Sequence, residues 1–332
     1  MTPTRWRFLS FIVLCLLASA AHGCGPSAGP TPHVTEHGQE HEYSVDEMPA
    51  VSAVSLSEGE KLRVVATTSI VADVVHNVGG DKIGLTALMP RGTDPHAFEP
   101  TPRDVATVAD AHVVFINGVG LEVFIERLLQ SAGEGVTVVP VSYGVELLKF
   151  EGAGEHGGFD PHTWFDPRNV MVWADNVEHT LSTLDPNNSG AYVENAKAYK
   201  AQLEQLHDWI RDQLSEVPAD RRQLVSDHAA FGYFAHRYGF EQIGAVFPGY
   251  STLAEPSAQD IAVLEDAIRE FDAKAVFVGL TVNPSLAERV AEDTGTELVL
   301  LYTGSLSEPG GLAADYMSLM HYDVAAIVEA LR

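Results

Sequence analysis

The sequence predicts an α/β protein of two lobes with mainly parallel sheets, joined by one long helix. Three observations carry this. Short β-branched runs alternate with helix-spaced blocks from Lys61 onward, the pattern of parallel strands covered by helices on both faces. A single amphipathic stretch between Asp185 and Val217 interrupts that alternation. Beyond it a second α/β series begins, similar in size to the first.

In the first series, Arg63 to Thr68 reads as a strand and Ile70 to Val78 as a helix stopped by Gly79-Gly80. Ile83 to Met89 and Ala111 to Ile116 read as strands, with a short helix over Asp104 to Ala109 between them. Glu122 to Gln130 is expected to be helical and Val136 to Val141 a strand. After Asp185-Pro186-Asn187-Asn188, the apolar residues Tyr192, Ala196, Tyr199, Leu203, Leu206, Ile210 and Leu214 step by three or four, one face of a helix. At 1.5 Å per residue it would run about 42 Å, longer than one lobe needs. In the second series, Leu224-Val225, Ala245 to Phe247, Ala275 to Val278 and Glu297 to Tyr302 read as strands. Asp260 to Phe271, Pro284 to Glu292 and Asp315 to Leu331 read as helices. The expected boundaries are a first lobe over 61–185, the linking helix over 186–217 and a second lobe over 218–332.

The first 23 residues have a basic start at Arg5 and Arg7, an apolar run from Phe8 to Leu17 and small residues around Ala20. That is a secretory signal, and its apolar run is about half of the ~20 residues a membrane-spanning helix needs. Cys15 lies inside the signal, so the mature chain keeps one thiol, Cys24, and no internal disulfide. Cys24, placed before a loose Gly-Pro-Ser stretch, is expected to be a lipidation site, although Ala21 and His22 depart from the usual preceding residues. Residues 24–60 are poor in aromatics and rich in Pro, Gly, Ser and Glu, the composition of a disordered tether. Within it His33, His37 and His41 stand among Glu36, Glu40 and Glu42. They read equally well as a weak metal-gathering tail and as incidental polar linker. The product is expected to be exported, on the outer face of the cytoplasmic membrane or in a periplasm.

The formal charge is −26, and losing Arg5 and Arg7 with the signal makes it −28. Such a field repels nucleic acid and anionic lipid and draws cations. For most of these carboxylates a solubilising surface is explanation enough.

Three histidines have settings unlike the other eleven. His96 lies in Asp94-Pro95-His96-Ala97-Phe98-Glu99-Pro100, His162 in Asp160-Pro161-His162-Thr163-Trp164-Phe165-Asp166-Pro167, and His228 in Asp227-His228-Ala229-Ala230-Phe231. Proline stiffens two of these segments on both sides of the imidazole, so little entropy is lost when the ring is fixed. Three imidazoles on stiff loops suit a borderline-soft divalent cation. A lone histidine is more often a hydrogen-bonded core residue. His76, His112, His179, His207, His236 and His321, which lack such settings, are read as structural or surface residues. Trp164 is read as packing beside the second site histidine, and Trp173 and Trp209 as helix-face core.

These motifs, taken with Asp185-Pro186-Asn187-Asn188, Thr281-Val282-Asn283-Pro284 and Thr303-Gly304-Ser305-Leu306, resemble the zinc/manganese solute-binding proteins of bacterial ABC importers. The resemblance runs from about Arg63 to the C-terminus. It implies a metal held in the cleft between the lobes by His96, His162 and His228, and delivery of that metal to a membrane permease. A histidine rather than a glutamate at the third position goes with zinc in this family, which agrees with the preference of imidazole for Zn²⁺ and of oxygen for Mn²⁺. Manganese is the alternative cargo.

The chain departs from the family at the fourth ligand. Gly304 stands where an aspartate is usual, and Gly279 where a glutamate is often found. Water, or an oxygen from Glu255 or Asp227, is left as the fourth donor, while Glu99 and Asp166 are read as orienting ligands or facing water. His156, on the glycine-rich segment before His162, reads as simple loop ahead of a reduced histidine-rich loop. Two other classes remain open: a surface adhesin, since some relatives are linked to attachment, and a zinc hydrolase using an open position. No His-Glu-x-x-His is present. A monomer that makes and breaks no bond is expected. Neutral imidazoles as ligands release metal when protonated, which predicts affinity falling steeply between roughly pH 7 and pH 5.

Overall fold

The computed structural model describes residues 48–133, 135–149 and 158–332. The signal segment, Cys24, His33, His37, His41 and His156 lie outside the described residues. In the first lobe, β1 (Leu62–Ala66), β2 (Ile83–Ala87), β3 (Val113–Ile116) and β4 (Val138–Pro140) form a parallel sheet in the order β2-β1-β3-β4. The helices α1 (Ser69–Gly79), α2 (Pro102–Ala109) and α3 (Ile125–Ala132) connect them. The burial of all four β3 residues agrees with a strand covered on both faces.

Two long helices follow, α4 (Pro167–Leu184) and α5 (Ser189–Leu214). Asp166 caps α4 by accepting from the Arg168 N–H, and Pro167 fills the first helical position, where no N–H is missed. The second lobe repeats the topology of the first. β5 (Gln223–Ser226), β6 (Glu241–Ala245), β7 (Ala275–Gly279) and β8 (Glu297–Leu301) pair in parallel in the order β6-β5-β7-β8. The helices α6 (Gly232–Tyr238), α7 (Ala258–Phe271), α8 (Ser285–Thr294) and α9 (Tyr316–Leu331) complete it.

Three differences from the expected layout have physical causes. The expected strand at 245–247 lies earlier, as β6, because the parallel ladder to β5 begins at Gln223 and Glu241 and slips between Leu224 and Val225. The segment preceding α5, with no helix expected in it, is itself the 18-residue helix α4. The stretch expected as tether up to residue 60 is not all tether: the Val54 N–H donates to the Leu184 carbonyl, and Met48, Val51, Val54 and Leu56 pack on the main core.

One apolar core runs through both lobes. It takes Val64, Phe115 and Val139 from the first sheet, Leu224 and Phe277 from the second, and the buried faces of α1, α4, α5 and α9. α5 is therefore more than a link, since it packs along α1, α4 and α9. Two smaller cores cover the outer faces of the sheets, one around Val114, Phe124 and Leu128, the other around Val276, Leu264 and Val290. In each sheet the strand order reverses, between β1 and β3 and between β5 and β7. Ligand sites in such sheets form beyond the carboxyl ends of the strands at that reversal.

Candidate metal centre

All three singled-out histidines lie on segments that follow strand ends: His96 after β2, His162 after β4 and His228 two residues past β5. The fold brings their rings together. Nε2 of His162 stands 3.2 Å from Nε2 of His96 and 3.1 Å from Nε2 of His228. One ligand atom from each histidine lies within 4.8 Å of the other two, and no Asp, Glu or Cys of the described residues joins the group. Nitrogens bound tetrahedrally to one ion at 2.0–2.1 Å stand about 3.3–3.4 Å apart, close to this spacing. His96, His162 and His228 are 8%, 1% and 3% exposed.

Two of the rings are braced by carboxylates. His162 donates from its backbone N–H at 2.9 Å and approaches with Nδ1 at 2.8 Å, both to Oδ1 of Asp160. His228 does the same with Asp227, at 2.7 Å for each contact. A carboxylate on Nδ1 keeps the proton there and leaves Nε2, turned inward, free to accept a metal ion. Asp227 is itself fixed by the Gly279 N–H, 2.7 Å from Oδ2. The Pro161 carbonyl accepts from Asn117 Nδ2 at 3.0 Å, and the backbone of Asn117 donates to the buried carboxyl of Glu122 at 2.6 Å. A chain of hydrogen bonds thus runs from the end of β3 to the His162 loop.

Burial and neighbouring imidazoles set the protonation. Burial first, then the charge of His228, lowers His96 to about 4. Burial, then His228 and His96, holds His162 well below the usual imidazole value. Burial pushes Asp160 well above the usual carboxylate range. A dication among these groups favours both neutral rings and an ionised Asp160, the forms that ligation requires.

Asp94, Pro95, Thr252, Thr281, Thr303 and Gly304 line the tight recess around the rings. The two glycines that mark the departure from the family serve close packing. A Cβ on Gly304 would stand 2.8 Å from Cδ of Pro95, and one on Gly279 would stand 2.0 Å from Oγ1 of Thr303. Of the four acids considered as a fourth donor or support, Asp227 alone touches a histidine. Glu255 and Glu99 are exposed and absent from the recess lining. Asp166 caps α4 and pairs with Arg237 at 2.6 Å, so it supports the fold instead of the ion. Sequence reasoning did not single out Asp160 as a brace, although the aspartate two residues before the histidine was in plain view. Thr252 had no sequence signal at all.

Of the other described histidines, His112, His207 and His321 have structural partners, and His76, His179 and His236 are exposed on helices. The Arg63 N–H donates to Nδ1 of His112 at 2.9 Å, and Nδ1 of His207 lies 3.0 Å from the Tyr238 hydroxyl. Trp164 packs on His162 with ring centroids 5.2 Å apart, while Trp173 is fully buried in α4.

A mirrored pair of parallel sheets, one shared core and three converging imidazoles define a two-lobed binding protein for a divalent metal ion. Comparison with known proteins narrows this. The family described as "ZnuA: Zinc-uptake complex component A periplasmic" matches residues 64–330, and the chain belongs to it. A manganese-binding lipoprotein, MntA, of Halalkalibacterium halodurans is 35% identical over 275 residues, covering 82% of this chain and 90% of its own. PsaA of Streptococcus pneumoniae, a manganese ABC transporter substrate-binding lipoprotein, is 34% identical over 282 residues, with 83% and 91% covered. Among solved structures, the periplasmic zinc-binding protein TroA of Treponema pallidum superposes with a TM-score of 0.76 at 29% identity, over 82% of this chain and 99% of that one. The family consists of substrate-binding components of ABC transporters, not enzymes, and the hydrolase alternative is not retained.

Proposed function

We propose that this protein captures Zn²⁺ outside the cytoplasm through Nε2 of His96, His162 and His228 and hands it to the permease of an ABC importer. The convergence of the three imidazoles carries the reading, with spacings of 3.2 and 3.1 Å on His162. The donors are neutral nitrogens, which suits zinc better than manganese. The fourth ligand is solvent, since no carboxylate of the described residues joins the rings. Cys24 is the lipid anchor, a reading supported by relatives named lipoproteins. No helix of the described residues is long and apolar enough to cross a membrane.

Manganese is the second reading, favoured by a specific observation: the relatives at 34–35% identity are named for manganese. Metal content separates the two. Protein dialysed against equimolar Zn²⁺ and Mn²⁺ should retain about one zinc per chain and little manganese. Retention of manganese instead would overturn the choice of cargo. His162→Gln should lower zinc affinity by at least about 100-fold, as expected when one of three ligands is removed. Wild-type affinity in that variant would overturn the site.

A further inference from the structure

We infer that Asp94 and Thr252 form a latch between the lobes that sets how long His96 stays on the metal. The inference rests on the metal reading proposed above.

The three histidines are not held alike. Asp160 and Asp227 each brace both the ring and the backbone of their histidine from within the same loop. His96 is held by its backbone alone: its N–H donates to Oδ1 of Asp94 at 3.0 Å, and no carboxylate of the described residues meets its Nδ1. The segment carrying it lacks regular helix or strand. The other oxygen of Asp94 accepts from the Thr252 hydroxyl at 2.6 Å, and Thr252 belongs to the β6–α7 loop of the opposite lobe. Thr252 also lines the recess, and its neighbour Leu253 lines the groove running past His96 to Phe98 and Phe124. One carboxylate thus reads two things at once, the backbone of His96 and the approach of the second lobe.

His228 is placed differently, although it belongs to the second lobe. α6, which follows it, is tied to the first half of the chain by Arg237 on Asp166 at 2.6 Å and by the Tyr233 hydroxyl, which accepts from the Leu148 N–H at 3.2 Å. The near part of the β6–α7 loop is held to His228 as well, the Phe247 N–H donating to the Asp227 carbonyl at 2.6 Å and the Ala229 N–H to the Gly249 carbonyl at 2.9 Å, while Thr252 stands beyond these ties. Withdrawal of Thr252 frees one oxygen of Asp94 and loosens the turn that presents His96, so His96 is the ligand that leaves first.

The test is stopped-flow release of metal from the Co²⁺-loaded protein into excess chelator, for wild type, Thr252→Val and Thr252→Ser. Valine keeps the shape and removes the hydroxyl. Release from Thr252→Val should be about tenfold faster, the loss of one hydrogen bond to a charged acceptor. Thr252→Ser should restore the wild-type rate, and the denaturation midpoint of the metal-free protein should not move. Because Asp94 and Thr252 act as one unit, Asp94→Asn with Thr252→Val should release no faster than the quicker single variant. A wild-type release rate in Thr252→Val, or release from Thr252→Ser as fast as from valine, would overturn the latch while leaving the metal site intact. Failure of the wild-type protein to take up Co²⁺ would overturn the proposed function and the latch with it.

Discussion

At the scale of single residues, carboxylates decide what the imidazoles do. Asp160 fixes the ring of His162 through Nδ1 at 2.8 Å. Its replacement by asparagine should weaken zinc binding 10- to 100-fold without removing the site, the usual effect of losing a ligand's hydrogen-bonded support. Isothermal titration of Asp160→Asn checks this, and an unchanged affinity would count against the bracing role.

The pH response follows from the same residues. His96 is held down to about 4 and His162 well below its ordinary value, burial being the first cause for both. Between pH 6.5 and about 4 the unfolded chain protonates these rings more readily than the fold does. Their contribution therefore makes the metal-free protein less stable as pH falls through that range. Protons therefore compete with metal for these two rings at lower pH than they would for free imidazoles. Asp160 has the opposite sign, because burial favours its neutral form. A dication beside it favours the ionised form, so metal binding and proton release from this carboxyl are coupled. NMR titration of the metal-free protein should find the His96 ring neutral at pH 5, and protonation there would contradict the assignment.

At the scale of elements, the sequence was most legible where periodicity and propensity agreed. β1, α1, β7 and α9 stand close to where alternation and helical spacing put them. β6 was misplaced because Glu241, Gln242 and Gly244 are poor strand formers. A Cβ on Gly244 would lie 2.4 Å from Cδ1 of Leu264 on α7, so a larger residue there would displace that side chain. α4 escaped notice because its start is hidden inside the second histidine motif, where Asp166 and Pro167 serve as cap and first helical residue. The three histidines that converge were legible because each motif is local. Thr252 was not, because its partner Asp94 lies 158 positions away and only the fold joins them. Trp173, fully buried on α4, anchors the helix pair to the shared core. Its replacement by alanine should cost about 3–5 kcal/mol, read as a lower denaturant midpoint. A loss below about 1 kcal/mol would show that α4 is not part of the central core.

At the scale of the molecule, the shared core limits how the lobes can move. α5, 26 residues long, is buried on one face from Tyr192 to Leu214 and packs on α1, α4 and α9. The β8–α9 loop adds ties between the lobes: the Arg91 guanidinium donates to the carbonyls of Ser307 and Ala314 at 2.6 and 2.7 Å, and the Tyr316 N–H donates to Asp73 at 3.1 Å. Wide hinge closure would break an apolar core rather than a thin linker. Small-angle scattering with and without zinc should therefore give radii of gyration that agree within about 1 Å. A large compaction would mean the lobes hinge after all. The formal charge of −26 acts at this scale too, drawing cations toward the surface without choosing among them.

The most direct test is an anomalous-difference map from crystals of the zinc-loaded protein, collected on both sides of the zinc absorption edge. One zinc peak at about 2.0–2.1 Å from Nε2 of His96, His162 and His228 is the predicted result, with solvent as the fourth ligand. A zinc peak elsewhere, or one that excludes any of the three rings, would contradict it.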